Sequence, residues 1–349
     1  MSPPDAATGT VVALRFEQET LWALDQTALP WIERELELRS AAEVADAIAR
    51  LAIRGAPLIG VAAGYGVALQ LLREPTRAAL ERAAGALKRS RPTAANLGWA
   101  VDRVAAAATA EGGVSAEAAL AEARAIDAGE RAASDALAAH GADLLADVRR
   151  VMTHCNTGAL AAPGRGTALA VVAELAARGR LEHVLATESR PLLQGARLTV
   201  YELRRLGIAH ELIVDSAAAG LIAAGAVDAV LVGCDRVAAN GDVANKVGTY
   251  GLALAAAAAG IPFVVVGPTS TIDPLCLSGA EIVIEERDPS EVVSASAAGG
   301  PAQLAPDGTA CRNPAFDVTP AALISALVTE RGVVTNPGRD AIAALLGAR

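Results

Sequence analysis

The sequence predicts an α/β fold, with a mostly helical N-terminal part carrying a small β element and a C-terminal part built on a parallel sheet. Three observations carry this. Hydrophobic residues fill 53% of the 349 positions and charged residues 20%, enough apolar surface for a large core and too much for a disordered chain. From Ala41 to Arg149 apolar residues recur at helical spacing in segments dominated by Ala, Leu and Arg. After Arg149, apolar runs of strand length alternate with Ala-rich helical runs, the pattern of a parallel sheet covered on both faces.

Residues 11–16 and 21–23 read as a hairpin or edge pair. Helices follow over 41–51, 57–72, 77–88 and 94–108, with Pro57 in a first turn, where its missing N–H costs little. Residues 115–149 read as one long helix, or as two with a break at Gly141, bridging the two halves. Strands are expected over 151–154, 183–187, 211–214, 229–232, 262–266 and 281–284, with helices such as 166–177 and 192–206 between them. Residues 294–308, rich in Ala, Gly, Ser and Pro, read as a surface loop. The uncharged run 250–268 has membrane-span length, but Gly260-Ile261-Pro262 cuts it into a helix, a turn and a buried strand.

Composition also narrows the partners. The net charge of −9, with no basic run, argues against nucleic acid, and 3% aromatics is too few for a base-stacking platform. Cys155, Cys234, Cys276 and Cys311 show no CxxC or Cys/His pairing, so neither a disulfide scaffold nor a zinc site is expected and the setting reads as reducing and cytoplasmic. The first ten residues lack the basic start and apolar run of a signal peptide. No membrane partner is expected.

Ligands of doubly wound sheets bind beyond the carboxyl ends of the strands. Here those positions hold Cys155-Asn156-Thr157-Gly158, Glu188-Ser189-Arg190-Pro191 with Gln194-Gly195, Asp215-Ser216, Gly233-Cys234-Asp235-Arg236 and Gly267-Pro268-Thr269. Asn245-Lys246-Val247-Gly248-Thr249 and Arg54-Gly55-Ala56-Pro57 each read as a helix start with a cation beside free N–H groups, which suits a phosphorylated small molecule. Neither a dinucleotide nor a P-loop fingerprint is present, which disfavours a cofactor-dependent dehydrogenase.

These segments, with Ser90-Arg91-Pro92-Thr93-Ala94-Ala95-Asn96-Leu97, Gln194-Gly195-Ala196-Arg197-Leu198-Thr199 and Asn313-Pro314-Ala315-Phe316-Asp317, resemble one family over nearly the whole chain. It is the S-methyl-5-thioribose-1-phosphate isomerases of methionine salvage, whose fold also occurs in regulatory subunits of the exchange factor of eukaryotic translation initiation. The resemblance implies an N-terminal helical domain, placed at 1–125, a Rossmann-like C-terminal domain, at 126–349, and a homodimer. It also implies an aldose-to-ketose isomerisation of a sugar phosphate that needs no metal or nucleotide. Cys155 and Asp235 match the catalytic positions. Arg54, Gly55, Ala56, Arg91, Gln194, Asn245 and Lys246 match substrate-binding ones. Cys234 stands where a small apolar residue is expected and adds a second thiol that would complicate labelling.

The chemistry explains the pair. A furanose phosphorylated on its anomeric oxygen has no free aldehyde, so the ring must open before hydrogen can pass from C2 to C1. Opening needs a proton on the ring oxygen, and Asp235 is the candidate acid; a carboxyl with an ordinary pKa near about 3.9 would need burial to raise it. Cys155 is the candidate partner at C2, as thiol, as thiolate beside Lys246 or Arg54, or as a stabiliser of transition-state charge. Transfer as proton or as hydride is left open by the residues.

Each assignment has a plainer rival. A cysteine ending a buried strand is ordinarily a small core residue, an aspartate after a strand is often a helix N-cap, and lysines and arginines are by default surface charges. The Lys88-Arg89-Ser90-Arg91 run could be a solvated face. His154 reads as a packed core histidine, Asp317 as a cap or turn, and Glu188, Arg190 and Asp242 as a structural ion network. Two other readings stay open: the same isomerisation on 5-deoxyribose 1-phosphate or ribose 1,5-bisphosphate, and a non-catalytic binding protein, which would have no need of both Cys155 and Asp235.

Overall fold

The computed structural model describes residues 9–91, 94–110 and 112–347, so most of the N-terminal segment read for a signal, together with Pro92 and Thr93, lies outside the described residues. The chain divides into two compact units, Met1–Ser134 with Ala159–Gly166, and Asp135–Gly158 with Thr167–Arg349.

In the first unit the expected strand pair is a three-stranded antiparallel sheet of β1 (Leu14–Glu17), β2 (Thr20–Leu24) and β3 (Glu35–Leu38). The missed strand, Glu-Leu-Glu-Leu, looks polar in sequence. Its glutamates stand on the solvated side, where Glu35 meets Arg15 at 2.9 Å, while Leu38 is buried opposite Leu21. Four helices follow, α1 (Ala41–Ala49), α2 (Ala56–Arg73), α3 (Arg77–Ser90) and α4 (Ala95–Thr109), within two residues of the expected ends. Ser40 and Glu43 form a capping box at α1, and Thr76 caps α3. Among the described residues α2 alone is long and apolar enough to cross a membrane, and 83% of that window is buried, as befits a core helix.

Helix α5 (Ala116–Leu144) contains both the expected boundary at 125 and the observed division after Ser134. It runs through Gly141 without a break. A Cβ there would stand 2.4 Å from a Val171 methyl, so the glycine serves a close approach of α5 to α6 (Ala168–Ala177).

The second unit holds a seven-stranded sheet. Its strands are β4 (Arg150–Thr153), β5 (His183–Thr187), β6 (His210–Ile213), β7 (Ala229–Val232), β10 (Phe263–Val266), β15 (Ala326–Thr329) and β16 (Gly332–Thr335), in the order β16-β15-β10-β7-β4-β5-β6. All neighbours are parallel except β15 and β16. Alternate residues feed two cores. Val151, Val184, Ala186, Leu231 and Val264 meet α6 and α7 (Val200–Arg205) on one face. Met152, Leu185, Val230, Val232 and Phe263 meet α8 (Ala218–Ala223) and α9 (Thr249–Ala259) on the other. Two-sided burial is why these strands read as unbroken apolar runs.

Chain order runs outward from β4 in both directions, to β5 and β6 on one side and to β7, β10 and β15 on the other. The topological switch point therefore lies between β4 and β7. A second, four-stranded sheet holds β8 (Arg236–Ala238), β9 (Val243–Lys246), β11 (Ile272–Asp273) and β14 (Phe316–Thr319). The short helix α10 (Ser290–Val293), a hairpin of β12 (Ser294–Ala295) and β13 (Ala302–Gln303), and a closing helix α11 (Arg339–Leu346) complete the unit.

Three expectations need correction here. The strand expected at 281–284 does not form: Val283 is 73% exposed, and the buried strand β15, followed by the more exposed edge strand β16, holds the sheet positions instead. The helix expected at 192–206 begins as a π-turn, Gly195–Thr199, before α7. Residues 294–308 are not wholly a loop, since they contain the β12–β13 hairpin.

Candidate active site

Thr153 and Leu231 are register partners on β4 and β7. Two residues beyond Thr153 comes Cys155, and three beyond Val232 comes Asp235, so both leave the carboxyl ends of adjacent strands at the switch point. Parallel neighbours stand about 4.8 Å apart, which makes this a narrow span. Asp235 is half-buried and caps no helix; its own N–H donates to the Ala244 carbonyl of β9 at 2.9 Å. The N-cap alternative therefore falls.

Cys155 is half-buried and holds a left-handed backbone, φ 63°, rare for a residue with a side chain. On the next strand tip Ser189 does the same, φ 61°. The two are joined, with Cys155 N–H donating to Ser189 Oγ at 2.7 Å, and the Cys155 carbonyl accepts from Thr199 Oγ1 at 2.6 Å. Asp215 fixes the opposite side of that tip, accepting the N–H groups of Ser189 and Arg190 at 2.8 and 2.7 Å. Behind Cys155, Asn156 Nδ2 donates to the buried Glu202 carboxylate at 2.7 Å. Left-handed non-glycine residues cost about 1–3 kcal/mol each and persist only where their surroundings hold them, as here on both sides.

Lys246 departs from expectation. It is the last residue of β9, inside a sheet and 95% buried by accessible area, rather than a member of a helix start. The start of α9 already has its anion: the Asp317 carboxylate accepts from Gly248 N–H at 2.7 Å and Tyr250 N–H at 3.1 Å. The cap reading of Asp317 therefore holds, and the anion-binding helix start does not. Burial pulls the Lys246 pKa below its ordinary value, and the nearby Cys155 and Asp235 pull it back up. The three site residues thus share one electrostatic neighbourhood, to which Arg287 and Glu291 also contribute. The ammonium lies 5.8 Å from the Phe316 ring.

Gln194 follows the β5 tip and is buried, with a side-chain oxygen that meets no donor. A buried acceptor left unmet costs about 1–3 kcal/mol, so a hydroxyl-bearing ligand would be drawn to it. Asn245 is buried and donates through Nδ2 to Thr249 Oγ1 at 3.0 Å.

The remaining candidates belong to the first unit. Arg54 is 9% exposed and donates from Nε to Gln26 Oε1 at 3.0 Å, while Gln26 Nε2 donates to the Leu160 carbonyl. Gly55, at φ 95°, N-caps α2, and a Cβ there would meet the Ala161 backbone at 2.3 Å, so only glycine fits. Ala56 is buried as the first residue of α2, and Arg91 is half-buried at the C-cap of α3, so neither arginine is a freely solvated charge.

His154 is buried, as expected of a packed histidine, between Thr187 Oγ1 at 2.6 Å and the Val247 carbonyl at 2.9 Å, and burial pushes its pKa below the ordinary value. The expected ion network is not one. Arg190 donates to the carbonyls of Pro191, Val292 and Ser294, whereas Asp242 accepts from Asn240, Gly279 and Ala321. Burial pushes the Cys234 thiol up to about 12, which favours its protonated form. Among the described residues no three His, Cys, Asp or Glu side chains group to hold a metal ion.

Sequence reasoning missed Thr199, Glu202, Arg287 and Glu291. Their residue types carry no mark in the sequence that sets them apart, and it is the fold that buries Glu202 to 4% exposure.

A carboxyl and a thiol leave adjacent strand ends at the switch point of a doubly wound sheet, where such sheets bind small molecules, with a buried ammonium in the same electrostatic neighbourhood. The chain belongs to the initiation factor 2 subunit family, whose model matches residues 52–336. It is 49% identical over 333 residues to the methylthioribose-1-phosphate isomerase of Parasynechococcus marenigrum, covering 95% of this chain and 97% of that one. It is 48% identical to the 5-deoxyribose 1-phosphate isomerase of Moorella thermoacetica, covering 93% and 94%. Among solved structures it matches the 5-methylthioribose 1-phosphate isomerase of Pyrococcus horikoshii with a TM-score of 0.89 at 37% identity, over 99% of both chains.

Proposed function

We propose that this chain converts S-methyl-5-thio-α-D-ribose 1-phosphate to S-methyl-5-thio-D-ribulose 1-phosphate, the isomerisation step of methionine salvage. It is an aldose–ketose isomerase. The observation that carries the reading is the near-full-length match to isomerases of that name, in a chain that presents Cys155 and Asp235 from adjacent strand ends.

In this reading Asp235 gives a proton to the ring oxygen, and the C1–O4 bond breaks. The hydrogen on C2 passes to C1, directly or by way of Cys155. The C2 hydroxyl proton returns to Asp235, leaving a carbonyl at C2 and the phosphate still on C1, so atoms and charge balance. Lys246 offsets the negative charge of substrate and transition state in a site where burial strengthens every charge interaction. Gln194 gives its unmet oxygen to a sugar hydroxyl. Arg54, Gly55, Ala56, Arg91 and Asn245 carry the substrate-binding assignment of the resemblance, and Arg54, Arg91 and Asn245 can be tested by substitution. The unbridged thiols suit a reducing, cytoplasmic setting. A homodimer belongs to the same reading and is checked by light scattering.

A second reading, 5-deoxyribose 1-phosphate as substrate, is favoured by the Moorella relative at nearly equal identity. Purified protein, without added metal or nucleotide, is offered methylthioribose 1-phosphate, 5-deoxyribose 1-phosphate and ribose 1,5-bisphosphate. The highest kcat/KM is expected on the first. A higher value on either rival reassigns the substrate, and turnover of none ends the enzymatic reading.

A further inference from the structure

We propose that His154 is a positioning residue of this site, its single imidazole tying the strand end that presents Cys155 to the backbone that presents Lys246. The inference rests on the catalytic assignment above and adds a residue that assignment does not use.

The partners fix the imidazole completely. The Val247 carbonyl can only accept, so the Nε2 atom, 2.9 Å away, carries the hydrogen. Nδ1 is then an acceptor and takes the Thr187 hydroxyl hydrogen at 2.6 Å. Thr187 Oγ1, having spent its hydrogen, accepts from Ser189 Oγ at 3.2 Å, and Ser189 Oγ accepts the Cys155 N–H at 2.7 Å. The result is a directional chain from Cys155 N–H through Ser189, Thr187 and His154 to the carbonyl next to Lys246, in which Ser189 Oγ also stands 3.3 Å from the Thr187 carbonyl and 3.5 Å from His154 Nδ1. All three side chains are buried, at 0–2% exposure, so no water substitutes for a missing member. The chain also accounts for the left-handed backbones of Cys155 and Ser189, since the bond between them holds both tips in place. Burial favours the neutral imidazole that this arrangement requires.

The two nitrogens serve opposite ends, so they can be separated. In His154→Asn the side-chain amide reaches the Nδ1 position, keeps an acceptor for Thr187 and loses Val247. In His154→Gln the amide reaches the Nε2 position, keeps Val247 and loses Thr187. His154→Asn is expected to raise KM at least about fivefold with kcat within about threefold, through Lys246. His154→Gln is expected to lower kcat at least about tenfold with KM within about threefold, through Cys155. Thr187→Val, which leaves the imidazole intact, should reproduce the Gln variant and decides alone if neither histidine variant folds. A residue that merely stabilised the fold would lower the melting temperature and shift both variants alike. Folded variants with kcat and KM within twofold of the parent, or with the same split in both, overturn the proposal.

The failure of the functional reading is kept apart by a measurement that needs no substrate. The iodoacetamide labelling rate of Cys155, followed by mass spectrometry, should change at least about threefold in His154→Gln and Thr187→Val. An unchanged rate in both overturns the positioning role, even in a protein that turns over none of the sugars.

Discussion

Cys155 and Asp235 make different demands on their surroundings, and substitution separates them. Cys155→Ser keeps the size and the Ser189 tether but removes a soft, polarisable sulfur. Asp235→Asn keeps the shape but removes the transferable proton. Each should lower kcat at least about a hundredfold and move KM far less, since in the proposed mechanism each acts on the reacting atoms. Steady-state kinetics giving near-parental kcat in either variant removes that residue from the mechanism. Lys246 tests the anion grip. Its pKa is lowered from 10.5 by burial, so its charge, and with it phosphate affinity, is full at low pH and is lost as pH rises through the depressed value. KM should therefore climb at a pH below the ordinary lysine value, and Lys246→Arg should move that limb to higher pH. A KM that stays flat up to pH 10.5 in the parent protein would remove Lys246 from phosphate binding.

At the scale of elements, packing explains both what the sequence announced and what it hid. β4, β5, β7 and β10 were legible because two-sided burial writes them as unbroken apolar runs, α1 and α3 because their caps and apolar stripes agree, and α2 because Pro57 marks its first turn. β3 was hidden because half its residues are solvated glutamates, and Gly141 misled because glycine marks a close approach as often as a stop. Gly141→Ala tests that reason. Overpacking against Val171 costs about 1–3 kcal/mol, while helix propensity returns about 1. A net loss of about 1 kcal/mol is expected by urea denaturation, with Val171→Ala in the same chain recovering part of it. A more stable single variant would mean that α5 and α6 are not in tight contact there. The site was legible where rare residue types end strands, as at Cys155 and Asp235. Lys246 was misplaced because the strand Val-Ala-Asn-Lys has no sequence mark to separate it from the helix that follows, and Asp317, the register partner of Asn245 on β14, takes that helix start from far along the chain.

For the whole molecule, the buried histidine sets a dependence on pH. His154 sits below its ordinary value of 6.5 because burial disfavours the charged ring, with Lys246 acting in the same direction and Asp215 and the Val247 carbonyl opposing. As pH falls below 6.5 the unfolded chain takes up the proton first. The contribution to stability is therefore complete above that point and is lost as pH drops toward and through the folded-state value, by up to about 1.4 kcal/mol per pH unit. Urea midpoints measured from pH 8 down to pH 5 should fall, and fall less steeply in His154→Gln. Parallel curves for the two proteins would mean that another group governs the acid limb.

The switch point between β4 and β7 also has a bearing on how the enzyme comes into being. A polypeptide still leaving the ribosome exposes its sulfhydryl long before the matching acid has been translated, because two further strands are laid down on the far flank first. Until β7 slots in beside β4, the nascent chain holds half a reaction centre. In the proposed mechanism, an N-terminal fragment ending before Asp235 then shows no reduced version of the activity.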